Sequence, residues 1–520
     1  MLTWLKSDPE TDHPLADPKI ARDLLADLVL RSPTGVLETL TEYLDGAREG
    51  VGLSPVQAFE IVDLIDGTAK PFHRPLTGEY LETVGMQQAA SLRIAHVESG
   101  YWNALAKAYR MLLETVEAGD PAAQRLESQV ARLGARAVRA FNVHLKWCLL
   151  RYVVVDPIQW GALARIYAVS EKRGLADTPV EVYPGAKDRS SVRREMLKTM
   201  MLAVSSTDAL PPQQVEIVER LCAQYSEFFT LRPALEPGAY YNFDLASDEP
   251  PGRVVDPGVA GGARRFFGPG AAAPHLKRLA EDIRTNGAIP STVRLGAVYP
   301  VHDVVIVLEH LAHYWAPMPP SRREARRAAD DGVEAVRGLR DIISAVDAAE
   351  FGWNFDPERY QRWELRDQSN TGFGAIVPRC RGEEPGLGAL VGLRYLDGGV
   401  SWSVGVVRRI NGVGNGHHHL GIELLSRGVI RVALGVVLPD GTLDEDGESA
   451  VDALLLPSAS DRSAGRLTTH VAFQPDAFDP RVSYALKLFG LEYLLLPKAI
   501  LEQTDDYVIA EYRLLLRAGE

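Results

Sequence analysis

The chain has 520 residues, more than one hydrophobic core usually fills, so roughly two to four domains are expected. Apolar residues make up 46% and charged residues 24%, the proportions of an ordinary globular protein. The net charge of -13 opposes broad contact with a nucleic-acid polymer, which needs a basic face, and leaves room for a small anion only where cations are concentrated locally.

Cys148, Cys222 and Cys380 are far apart and form no Cys-x-x-Cys pattern. Neither a disulfide framework nor a zinc site is expected, and a reducing cytoplasm fits. The first residues, MLTWLKSDPETDHPLADP, carry charges and prolines where a secretory signal needs an unbroken apolar run. No stretch reaches the roughly 18 apolar residues of a membrane span. The expectation is a cytoplasmic protein with no membrane insertion.

Residues 1–256 read as a mainly helical domain. Pro18 to Leu30 carries Ile20, Leu24, Leu25 and Leu28 on one face, and Ser32-Pro33 and Ser54-Pro55 each pair a capping residue with a first-turn proline. The second of these opens a helix over Val56 to Ile65. Met86 to Glu117 and Pro121 to Val153 predict an antiparallel pair, followed by Pro157 to Arg173, Ser190 to Val204 and Pro211 to Phe229. No repeat of fixed length aligns, so a bundle is preferred to an irregular solenoid.

Residues 257–318 are expected to be a linker with connecting helices. Tyr240 to Leu245 alternates like a strand, and the Gly-rich, Ala-rich run from Gly258 to Pro274 suits a linker or surface loop. His275 to Asn286 and Val301 to Trp315 predict helices, the latter stopped by Pro317, Pro319 and Pro320.

From Pro319 onward the pattern becomes short strands divided by turns. Val333 to Leu339 predicts a strand and Asp341 to Ala349 a helix. Trp363 to Arg366 and Gly374 to Val377 flank a turn, Leu390 to Tyr395 and Trp402 to Ile410 meet at Asp397-Gly398-Gly399, and His419 to Leu425 pairs back. The stretch 431–520 continues in this style as an additional β module.

Three motifs in order carry the functional reading. A knot of arginines (Arg322, Arg323, Arg326, Arg327) precedes the first strand and contains two overlapping Arg-x-x-x-Arg frames. Asp367-Gln368-Ser369-Asn370-Thr371-Gly372 gives Asp-x-Ser-x-x-Gly at a strand-to-strand turn, and Gly421-Ile422-Glu423-Leu424-Leu425 ends the run. Together they resemble the PilZ domain, a small bacterial β-barrel. The resemblance covers about a fifth of the chain and implies a PilZ-like antiparallel barrel over 319–430. The fold class is therefore multidomain α+β, with a helical N-terminal half, this barrel and the additional β module.

The resemblance also implies a ligand, the second messenger cyclic di-GMP. Arginine's planar fork can meet O6 and N7 of guanine, stack on purines and pair with phosphate. A carboxylate can accept from guanine N1 and N2, and glycine permits close backbone approach. By analogy Arg323 and Arg327 form the arginine motif, Arg322 and Arg326 the overlapping frame, and Asp367, Ser369 and Gly372 the turn. The spacing from Arg327 to Asp367 is longer than the family usually shows, because a helix is inserted. Two functions are weighed: a cyclic di-GMP receptor whose helical half engages a protein partner, and a degenerate PilZ-like scaffold that binds protein without nucleotide.

Other constellations are set aside. His302, Glu309-His310 and His313 share helical spacing but form no His-Glu-x-x-His. His417-His418-His419 reads as a solvated turn, since successive strand residues face opposite ways. Gly412 to Gly416 has no following helix or Gly-Lys-Ser/Thr. Asp330-Asp331 and Asp505-Asp506 read as turn edges, and Arg408-Arg409 as a surface pair or a secondary ligand contact. Cys148 lies in an apolar helix. No nucleophile set can be named, so no enzyme, cofactor or metal is expected.

Overall fold

The computed structural model describes residues 13–28, 30–49, 53–183, 188–255, 262–318, 326–351, 359–378, 385–396, 401–413, 416–438, 442, 450–457 and 468–517. They fall into two compact units, numbered 1–321 and 322–520. The architecture is α+β, as the sequence predicts.

The first unit contains helices α1 (Pro18–Leu28), α2 (Pro33–Glu49), α3 (Pro55–Thr83), α4 (Gln88–Glu117), α5 (Val130–Leu149), α6 (Pro157–Lys172), α7 (Val192–Ala203) and α8 (Pro212–Gln224). Their starts follow capping chemistry. Ser54 and Gln57 form a reciprocal capping box at α3, Asp156 accepts from the Ile158 amide at 2.9 Å, and Ser191 accepts from the Arg194 amide at 3.2 Å. The helix expected to stop near Ile65 runs on to Thr83 through Pro71 and Pro75. Both prolines are exposed, so water can satisfy the carbonyls they leave unbonded. The segment from Pro121 begins as a 3-10 helix to Gln129 and becomes α-helical only at Val130.

Helix α5 is the axis of this unit, with Val130, Leu133, Val138 and Trp147 fully buried. Gly134 admits its neighbours: a Cβ there would stand 3.0 Å from Val192 Cγ2 and 3.2 Å from Ser170 Oγ. Surrounded on all sides, α5 also buries polar groups. Arg136 pairs with Asp63 and donates to Tyr109 Oη at 2.6 Å and the Val182 carbonyl at 2.7 Å. Asp66 accepts from Tyr109 at 2.7 Å and Tyr183 at 2.9 Å. Removing one partner from such a set strands a buried charge.

Strands β1 (Thr230–Arg232), β2 (Tyr241–Asp244), β3 (Gly252–Arg253) and β4 (Arg264–Gly268) form a sheet ordered β1-β4-β2-β3. Part of the stretch read as linker is thus a strand, because Phe266 and Phe267 are buried, a signal diluted by the glycines around it. Helices α9 (Ala272–Asn286) and α10 (Val301–Tyr314) follow. Leu276, Ile283, Leu308, Leu311 and Trp315 join the same core as the earlier helices.

The second unit holds β5 (Arg327–Ala328), β6 (Gly332–Arg337), α11 (Leu339–Phe351), β7 (Gln361–Ser369), β8 (Gly372–Pro378), β9 (Leu390–Tyr395), β10 (Ser403–Val413) and β11 (His417–Arg427). The sheet order is β5-β7-β6-β9-β10-β11-β8, and β7 also pairs with β8, which closes it on itself. Trp363, Leu365, Phe373, Ala375, Leu420 and Ile422 are buried. A second closed barrel follows, built from β12 (Ile430–Val437), β13 (Val451–Leu456), β14 (Thr468–Phe473), β15 (Ser483–Leu488), β16 (Leu491–Gln503) and β17 (Val508–Leu516).

Alternation along β13 explains how the two barrels join. Ala453 and Leu455 belong to the second barrel's own core, with Phe473, Tyr484 and Tyr512. Leu454 and Leu456 point the other way, into a core shared with Ile342 and Val346 of α11 and with Trp402 and Val404. The helix that lengthens the spacing between the motifs therefore packs between barrels. A polar tie reinforces it: Arg408 donates to Glu423 at 2.8 Å and Glu502 at 2.6 Å, and Tyr507 donates to the Gly388 carbonyl at 2.9 Å.

Candidate functional site

The first barrel brings the end of the arginine tract to the strand corner. Strand β5 lies against β7 with Arg327 opposite Gln368 and Ala328 opposite Asp367. The Arg326 guanidinium donates to the Asp367 carboxylate. Both side chains are about a quarter exposed, at 23% and 26%, so the pair is only partly shielded from water. Arg327 is exposed and, among the described residues, has no ion-pair partner. Arg322 and Arg323 lie outside the described residues, as do Cys380 and the Asp397-Gly398-Gly399 corner.

A bulge sets which way Asp367 faces. Leu365 opposes Ala375, yet Asp367 opposes Gly374, so Arg366 is the extra residue. Without it Asp367 would share the inward face of Leu365; with it, Asp367 and Ser369 turn to the outer surface. Asn370 and Thr371 close the hairpin, Ser369 Oγ accepting from the Thr371 amide at 3.3 Å. Gly372 is required sterically, since a Cβ there would stand 2.5 Å from the Ile422 carbonyl oxygen.

Across the barrel's outer face, Asp367, Gly374, Gly421 and Arg409 occupy successive strands in register. The two glycines make a bare floor. A Cβ at Gly374 would meet Asp367 Oδ1 at 2.6 Å and His419 Nε2 at 2.9 Å, so the carboxylate and the imidazole flank it. His417, His418 and His419 belong to β11 rather than to a turn, and His418 is buried.

Two further side chains frame the corner. Arg427 donates to the Ser369 carbonyl at 2.6 Å, and its guanidinium lies 5.3 Å from the Phe373 ring centre. Tyr395 donates to Gln368 Oε1 at 2.8 Å. Burial pushes the Tyr395 phenol above its usual range, opposed by Arg427. Neither residue belongs to the sequence motifs; they enter through strand register. Of the Arg408-Arg409 pair, Arg408 is committed to Glu423 and Glu502, and Arg409 stands beside the glycine floor.

Chemically, this surface offers guanidinium donors, a carboxylate acceptor and close backbone approach on one face. Among the described residues no group of three or more His, Cys, Asp or Glu could hold a metal, and no helix is long and apolar enough to cross a membrane. Cys148 and Cys222 are free and buried, and burial pushes the Cys148 thiol up to about 11.

These features define an α+β protein with a helical N-terminal unit and a barrel bearing a cationic outer corner. Residues 19–235, less than half of the chain, match the family described as "Cyclic-di-GMP receptor FimW, N-terminal domain". No curated protein matches the chain. The family match supports a cyclic di-GMP receptor and falls on the helical unit, outside the stretch that carries the PilZ-like motifs.

Proposed function

We propose that the protein is a cytosolic, non-enzymatic cyclic di-GMP receptor whose first barrel, over 319–430, is a PilZ-like ligand-binding module. What carries the reading is the meeting of Arg326 with Asp367 beside the glycine floor. Two lines of support are independent: the ordered motifs of the barrel, and a family match on the helical half that names the same ligand.

In this reading Arg322, Arg323, Arg326 and Arg327 close over the dinucleotide, stacking on guanine and pairing with phosphate. Asp367 accepts from a guanine edge, Ser369 supplies a hydroxyl, and Gly372 keeps the corner tight. Asp367 holds Arg326 in the free protein, so ligand entry exchanges one charge-assisted contact for others and releases the arginine to turn towards phosphate. The helical half engages a protein partner, and the segment joining the units carries the change between them.

Calorimetric titration with cyclic di-GMP tests the assignment. Saturable heat is expected for the wild type and its loss for Arg326→Ala/Arg327→Ala. Equal heats in both would remove the site, and no heat in either would favour a scaffold that binds protein alone.

A further inference from the structure

The helical unit contains a second place built to receive charge. A cleft of about 380 Å³ opens among α3, α4, α5, α7 and α8, with Lys70, Arg139, Lys146, Lys198 and Arg220 in its wall. That volume lies within the range of small-molecule sites. Most of these cations are committed: Lys146 to Glu216 at 2.9 Å, Arg220 to Glu216 at 2.7 Å and Lys198 to Glu195 at 2.7 Å. Burial pushes Glu195 up, and Lys198 and Arg139 more than offset it, so its carboxylate is held below the usual range.

Two cations have no such commitment. Among the described residues Arg139 and Lys70 make neither an ion pair nor a hydrogen bond. Both are held over the Tyr183 ring, at 5.3 and 4.6 Å from its centre, while the Tyr183 hydroxyl is fixed on Asp66. The ring attracts a guanidinium and an ammonium, although Arg139 also feels the nearby Glu195 carboxylate without touching it. The wall also contains acceptors that lack a donor: Glu98 Oε1 and Asn142 Oδ1 are buried with no hydrogen-bond partner, although Glu98 Oε2 accepts from Trp102 at 2.9 Å. Buried acceptors left unpartnered call for a donor such as water or a hydroxyl or ammonium group carried by a ligand, while the cations meet its anionic end.

We propose that this cleft binds a compact anionic metabolite, a phosphate monoester or a carboxylate, with Arg139 as the bidentate donor and Lys70 as the second cation. The site lies within the first unit and takes a different ligand from the one proposed for the barrel. Its wall draws on α3, α4, α5, α7 and α8, so occupancy braces helices contributed by well-separated parts of the chain.

The test uses the full chain and thermal denaturation at constant ionic strength, with inorganic phosphate, guanosine monophosphate and glutamate as probes against potassium chloride. A saturable rise in melting temperature is expected from at least one probe. Response to the two phosphates alone assigns a phosphate ligand, and response to glutamate alone a carboxylate. Arg139→Gln should weaken that response roughly tenfold or more, as loss of a charge-assisted contact does. Arg326→Ala/Arg327→Ala should leave it unchanged. Lys70 is exposed, so Lys70→Gln gives a second reading, with a several-fold loss expected, should Arg139→Gln fail to fold. No shift with any probe, or an unaltered response in the Lys70 variant or in a folded Arg139 variant, would overturn the proposal.

Discussion

Arg326 closes on Asp367, a residue 41 positions further along the chain, and this contact joins the last part of the arginine tract to the corner between β7 and β8. The pair is formed within the barrel itself. In the proposed complex this is the carboxylate that would accept from a guanine edge, with a cation already beside it.

Replacing these groups should separate two contributions. Charge-assisted hydrogen bonds are worth about 1.5–3 kcal/mol, so Arg327→Ala or Asp367→Ala should weaken cyclic di-GMP binding by roughly ten- to a hundredfold. Arg326→Ala loses a ligand contact but also frees Asp367, so its effect should be smaller than that of Arg327→Ala. Calorimetric titration of the three variants checks the ranking.

The glycines of the corner should respond differently to the same added methyl group. At Gly372 the obstacle is the Ile422 backbone oxygen at 2.5 Å, which cannot step aside, so Gly372→Ala should cost about 1–3 kcal/mol of stability. At Gly374 the obstacles are the ends of the Asp367 and His419 side chains. Gly374→Ala should therefore displace the carboxylate and weaken ligand binding while changing stability less. Urea denaturation and ligand titration of both variants give the comparison, and Gly386, with nothing within 4 Å, supplies the neutral control.

Helix α11 should make the two barrels unfold together. Ile342 is fully buried in the core they share, and truncation of such a residue costs about 2–5 kcal/mol. Ile342→Ala should destabilise both barrels in one transition, read by hydrogen exchange of the backbone amides of β9 and β10 in the first and of β14 and β17 in the second. Separate transitions in the variant would show that the shared core does not couple them.

Acid should weaken the helical unit through His144. Burial lowers its imidazole from the ordinary 6.5, partly opposed by the hydrogen bond with the Ser99 carbonyl at 3.0 Å. The unfolded chain then binds a proton that the native chain refuses. Stability from this group is fully present above pH ~6.5 and declines as the pH falls towards the native value. Urea titrations at pH 7.5 and pH 5.5 should show a smaller difference for His144→Gln than for the wild type.

The sequence carries much of this architecture because its signals are local. Capping at Ser54, helical periodicity in α4 and strand alternation around the Asp-x-Ser-x-x-Gly turn depend on neighbours within a few residues. What escapes is set by distant partners. Pro71 and Pro75 look like helix breakers until their exposure is known, and β4 is recognisable only once Phe266 and Phe267 have a core to enter. The Arg366 bulge, which turns Asp367 outward, has no signature of its own. Arg427, Tyr395 and His419 join the corner through register across β8, β9 and β11, and Arg139 and Lys70 are related only through the Tyr183 ring that each approaches.

Closure of both barrels limits how another chain could attach to them. Ladders that return to their own first strand leave little unpaired main chain, so an incoming peptide finds few amides and carbonyls to extend as a new strand. Among the described residues of the first barrel, β5 pairs with β7 alone, and β5 begins at Arg327. Any recruitment by backbone addition there would thus compete for the cationic tract itself, making occupancy by a small ligand and by a peptide mutually exclusive.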